Sequence, residues 1–222
     1  MNITSWFRRL STIALSIFLS LTIFSAPANA LVTENYNRLR ETNACVNCDL
    51  SGQDISGLDL YGAALGGANL SKANLSGSLL IEANLEKATL TGANLSGATL
   101  MGSRLSEANL IGANLSNADL YNALMIKADL TGANLTEADL TSAVISEANL
   151  SKAVGKSAKL QGAILSGSKL VDADFSSSKM RNTKLSNATL TGTNLREADL
   201  LNSLMPDGTT YNGNVSRFGA SQ

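Results

Sequence analysis

Cys45 and Cys48, in the run Cys45-Val46-Asn47-Cys48, are the two residues of this 222-residue chain with the most direct chemistry. Two thiols at this spacing can form a disulfide, work as a redox couple, or supply half of a metal site. A metal site needs further soft or imidazole ligands, and the sequence contains no histidine. A redox couple of this type needs a helix start beside it to lower a thiol pKa. The residues that follow, Asp49-Leu50-Ser51-Gly52, belong to a periodic, non-helical pattern. A disulfide between Cys45 and Cys48 is the favoured expectation, and redox regulation is the alternative. No nucleophile–base pair or phosphate-binding loop can be assembled from the remaining residues, so neither an enzymatic activity nor a cofactor is expected.

The expectation of a disulfide depends on compartment. Arg8 and Arg9 precede a mostly apolar run from Leu10 to Phe24, and Ala28-Asn29-Ala30 supplies small residues at cleavage spacing. That pattern is a secretory signal peptide over residues 1–30, too short in its apolar part for an ordinary membrane span. After cleavage the protein is expected outside the cytoplasm, with no stable membrane insertion. Losing Arg8 and Arg9 moves the net charge from −1 to −3. A nearly neutral surface gives no footprint for nucleic acid.

The rest of the chain is organised by a period of five. Every fifth residue from Leu50 to Met205 gives thirty-two positions, of which twenty-five are Leu and only Gly155 lacks a large side chain. Two places earlier, thirty of the thirty-two residues are Ala, Ser, Thr or Cys. Neither a helix nor a flat strand repeats every five residues. The chain must turn by a fixed angle at each repeat, with the large residue inside, the small one near a corner, and Asn, Asp, Ser, Thr and Gly outside. If each quintet is one side of a square, residues twenty apart stack.

The quintets Ala73-Asn74-Leu75-Ser76-Gly77 and Ala133-Asn134-Leu135-Thr136-Glu137 resemble those of the pentapeptide-repeat family. The resemblance implies an all-β, right-handed quadrilateral parallel β-helix. Thirty-two quintets would make about eight coils and a rod of roughly 38 Å. It implies little about activity. Exported members are numerous in cyanobacteria, which makes the periplasm or the thylakoid lumen the expected destination. Some members mimic DNA and protect gyrase, a role needing a strongly negative cytoplasmic rod that this chain does not offer.

Stacking the sequence by twenty exposes its departures from the repeat. Lys87, Glu107, Lys127 and Glu147 share one outward column, and Asn74, Asn94, Asn114 and Asn134 another. Tyr61, Ile81, Met101 and Tyr121 form an apolar column, with Leu124, Val144 and Ile164 around the next corner and Leu79 and Ile126 nearby. This stripe is the candidate surface for an unidentified protein partner. Gly155 stands one coil before Phe175, an arrangement read as volume compensation.

Solenoid ends need covers. Val32, Tyr36 and Leu39 have helical spacing, which predicts a short helix over Thr33 to Glu41 within a cap of residues 31–44. The solenoid proper is expected over 45–207, and the Cys45–Cys48 bridge is expected to staple the cap helix to the first coil. The tail, 208–222, offers only Tyr211, Val215 and Phe218 as cover, so that end is expected to be weakly protected and open to end-to-end homodimerisation. The sequence reads as a non-catalytic binding or scaffolding module. A redox-responsive lumenal or periplasmic protein is the alternative, and a gyrase-protecting DNA mimic the weaker third.

Overall fold

The computed structural model describes residues 28–221, and the signal-peptide reading falls, up to residue 27, outside the described residues. Among the described residues a single α-helix, α1, spans Ala28–Thr42. It begins five residues before the predicted start, taking in Ala28 to Ala30. Ala28, Ala30 and Leu31 are strong helix formers, and Pro27 precedes them in the sequence, a residue favoured at helix starts. The helix closes as Asn43 adopts φ 55° and donates its N–H to the Leu39 carbonyl at 2.8 Å. Asn is one of the few residues that hold this left-handed cap without glycine. As the spacing predicts, Leu39 is buried and Tyr36 packs against the core from its edge.

From Ala44 onward the chain winds as a parallel β-solenoid. Each bridging residue pairs in parallel with the residue twenty positions later, from Ala44 with Ala64 to Lys184 with Leu204. The bridges fall into four columns, headed by Ala44, Asp49, Asp54 and Asp59. Between columns the residue two after each core position from Cys45 to Leu200 has positive φ, as at Gly62 (64°) and Lys87 (58°). The next amide bonds back across the corner, as from Ala63 to the Leu60 carbonyl at 3.0 Å. A positive φ at the third residue is the mark of a type II turn. For Lys, Glu or Ser that conformation costs about 1–2 kcal/mol. It persists because the adjoining coil fixes the backbone, for example through the Lys87 N–H donating to the Ser106 carbonyl at 3.0 Å.

The leucines and the small residues two before them are buried along the axis. Where Ser or Thr replaces Ala inside, the hydroxyl finds a backbone carbonyl: Ser78 donates to Leu75, Thr183 to Leu160 and Thr193 to Leu170. The Ser103 hydroxyl is buried without such a partner. At Gly155 a Cβ would lie 3.0 Å from Cζ of Phe175 and nearer still to Cε1 and Cδ1. The Phe175 ring therefore occupies the volume that a side chain at 155 would take, and the gap is filled from one coil above.

The C-terminal end is better covered than expected. The tail folds back so that Ser221 bridges to Asn194 in parallel and Thr210 to Leu204 in antiparallel fashion. Val215 and Ala220 are buried, and Phe218 and Tyr211 pack on the core. The tail thus extends the Asp54 and Ala44 columns. The Asp49 and Asp59 columns end at Thr189 and Asp199, so the expected weakness of this end holds for two sides of the coil and not for all four. Backbone pairing was invisible to a count of apolar residues.

Candidate interaction surface

Two features singled out by the sequence have side chains in position to act: the first-corner cysteines and the apolar stripe. Cys45 and Cys48 both point inward, Cys45 fully buried and Cys48 nearly so. Their Cα atoms are 5.5 Å apart and their sulfurs lie at bonding distance, a separation typical of disulfides. The pair spans the corner at Val46 and Asn47 and does not reach into α1. The expected staple between helix and coil is therefore corrected: the two cysteines brace the first corner. Cys45 is the core residue of one quintet and Cys48 the small residue that opens the next, so the bridge closes the corner between them. Contact with the helix is non-covalent, with the Cys45 sulfur 3.5 Å from the Asn35 carbonyl. The Asn35 side-chain amide donates to the Asp49 carbonyl at 3.1 Å, seating α1 on the first coil.

The apolar stripe forms one diagonal patch. Ile81, Met101 and Tyr121 stack at one corner, since the Glu82 N–H donates to the Met101 carbonyl and the Gly102 N–H to the Tyr121 carbonyl, each at 2.9 Å. Leu124, Val144 and Ile164 are successive bridge partners in the Ala44 column. Tyr61 (55% exposed), Leu79 (42%), Tyr121 (40%), Leu124 and Ile126 stand out into solvent, whereas Ile81, Met101, Val144 and Ile164 are half-buried. At the Tyr61 end the phenol hydroxyl donates to Glu82 at 3.1 Å, and that carboxylate pushes the phenol pKa upward. Leu201, half exposed in the same corner column as Tyr121, stands four coils further on, beyond the patch, and was missed by the sequence reading. Counting on by twenty from Tyr121 through Thr141, Gln161 and Arg181 would have reached it.

The polar columns are structural in geometry. Each amide of Asn74, Asn94, Asn114 and Asn134 donates to the side chain one coil earlier, at 3.0–3.2 Å, the first to Asp54. Each Oδ1 also accepts the N–H two residues on, as from Ser116 to Asn114 at 3.2 Å. The charged column resolves into two separate rungs, Lys87–Glu107 at 3.7 Å and Lys127–Glu147 at 3.6 Å, with all four side chains more than half exposed. Such pairs are each worth under about 1 kcal/mol.

A family model for pentapeptide repeats matches eight copies between residues 44 and 205. The chain belongs to the pentapeptide-repeat family. Members of that family fold as right-handed β-helix solenoids and are generally non-catalytic structural or interaction modules. Similar solved structures include HetL, a pentapeptide-repeat protein involved in heterocyst differentiation regulation in Nostoc sp. strain PCC 7120. It is 28% identical over 81% of this chain and 98% of its own, with a TM-score of 0.31. A pentapeptide-repeat protein from the Arabidopsis thaliana thylakoid lumen is 26% identical over 66% of this chain and 71% of its own, with a TM-score of 0.21. Full-length QnrB1, a plasmid-mediated fluoroquinolone resistance protein, is 21% identical over 70% and 80%, with a TM-score of 0.48. No curated protein matches the chain. Among the described residues no helix is long and apolar enough to cross a membrane.

Proposed function

We propose that this pentapeptide-repeat protein is an exported, non-catalytic scaffold: a four-sided rod of about eight coils that binds a protein partner through the patch around Tyr121, Leu124 and Val144. The supporting observation is that Leu124, Val144 and Ile164 occupy consecutive bridge positions which the other columns mostly give to Asn, Asp or Thr. A contiguous exposed apolar patch on an otherwise polar rod is the usual mark of a binding surface. Export to the periplasm or the thylakoid lumen rests on the N-terminal sequence pattern and agrees with a bridged Cys45–Cys48 pair. Recovery of partners from the extracytoplasmic fraction tests the reading, comparing wild type with Tyr121→Glu, Leu124→Glu and Val144→Glu. Loss of a partner in the variants supports it, and equal recovery removes the patch.

The bridge is proposed as structural because both sulfurs are buried, which denies them the exposure a redox couple needs. A reduction potential below about −300 mV marks an inert bridge of this kind. A value near those of thiol oxidoreductases would instead revive the redox reading.

A further inference from the structure

The Asp59 column carries a charge order that the apolar patch does not explain. Successive bridge partners along it are Thr99, Asp119, Asp139, Lys159, Lys179 and Asp199. The corner beside it runs Met101, Tyr121, Thr141, Gln161, Arg181 and Leu201. The change of sign is part of a wider boundary: residues 119–147 hold five acidic residues and one basic, and residues 152–184 seven basic and two acidic. Within the chain the boundary is crossed by Lys159 and Asp139, paired at 3.1 Å. Among the described residues, Lys179 is exposed and makes no ion pair, and the Asp119 carboxylate accepts only the Tyr121 N–H.

A two-fold interface requires residue i to meet j and j to meet i. Consider a second copy turned end over end about an axis lying across this face, level with the boundary. Asp119 then meets Lys179 of the second copy, and Asp139 meets Lys159. At the adjoining corner Tyr121 meets Arg181, a cation that also pairs with Asp199 of its own chain and can lie over the ring, Met101 meets Leu201, and Thr141 meets Gln161. Each contact occurs twice. A shift of one coil sets Asp139 against Asp139, and a parallel arrangement in register sets every charge against its like. Under the same operation the neighbouring Ala44 column sets Val144 against Ile164, Leu124 against Lys184 and Arg104 against Leu204, which gives neither base an acid to meet. Acid and base in mirrored order on one face fit a copy of this chain better than a uniformly acidic or basic partner.

We propose that the Asp59 column, with the corner from Met101 to Leu201, is a homodimer surface on which two rods pack side by side and antiparallel. Sedimentation equilibrium of the purified protein at low and high salt tests this, with Lys179→Asp, Asp119→Lys and the double variant. Asp and Lys both occupy positions in this column, so all three variants are compatible with the coil, and unchanged circular dichroism confirms that each is folded. The wild type is expected to dimerise more tightly at low salt. Each single reversal raises the dimer Kd by about tenfold or more, since it turns two attractions into repulsions. The double variant regains the wild-type Kd, because the reversed charges again face opposites. A monomer under all conditions, a dimer indifferent to Lys179→Asp, or a double variant no tighter than the singles overturns the proposal.

Discussion

At the scale of single residues, the core position that lacks a side chain and the one with the largest form a compensated pair. Gly155 and Phe175 are that pair, which makes their coupling measurable. Gly155→Leu forces overlap with the ring and is expected to cost about 1–3 kcal/mol. Adding Phe175→Leu restores the leucine pairing found in other coils and should recover most of that loss, as read from thermal melts of the four members of the cycle. The asparagine column allows a finer test. Asn114 donates to Asn94 and accepts from Asn134 and from the Ser116 N–H. Asn114→Asp keeps the acceptors and loses one donor, so it should cost about 1 kcal/mol near neutral pH. Asn114→Ala loses all three bonds and should cost more. Equal melting temperatures for the two variants would show that the bonds Asn114 accepts, from Asn134 and from the Ser116 amide, contribute nothing.

Among the elements, the corners and the two caps carry the pH and redox sensitivity. The Ser56 hydroxyl and amide hold the Asp54 carboxyl below the usual carboxylate range. At Asp139 burial pushes upward, but bonds from Thr141 and the neighbouring Lys159 outweigh it, and the net shift is downward. A carboxyl whose folded value lies below its unfolded value, near 3.9, contributes its stability in full above that value. The contribution is lost as pH falls through the lower, folded value. The melting temperature is therefore expected to change little between about pH 7 and pH 5 and to drop below about pH 4; a rise on acidification would contradict these corner bonds. At the N-terminal cap, removing both sulfurs as Cys45→Ser with Cys48→Ser should cost about 2 kcal/mol, the value for closing so short a loop. Hydrogen exchange should then quicken in α1 and the first corner while the later coils stay protected. Both caps also show where sequence reading ran out. Leu39 and Tyr36 announced their face of α1 by spacing, but helix starts are set by local propensity and shift by several residues. The tail pairs through the backbone of Thr210 and Ser221, and backbone hydrogen bonding leaves no residue signature in an aperiodic segment.

For the whole molecule, almost every core position was legible, because one large residue per quintet has only the axis to occupy. The same regularity hid the surface, since position within a coil emerges only when residues twenty apart are compared. A step of twenty sets Leu124 beside Val144, and the same step leads to Leu201 and to the sign change between Asp139 and Lys159. Twenty is therefore the unit that the rod should respect under deletion. Excising residues 86–105 returns every later column to its own place and should preserve a cooperative melt. Excising 86–95 rotates the later coils by two sides, breaks the asparagine column and should melt lower. The bonds between coils, such as Leu95 N–H to the Asn114 carbonyl at 2.7 Å, run along the rod and not across it. Tension applied at the two ends loads them in series, one coil after another. Stretched in an optical trap, the protein should yield as a staircase in which each step frees twenty residues of slack, about 65 Å of extended chain less the rise already present. A filament of such units would behave as a force-limiting spring, lengthening at nearly constant load.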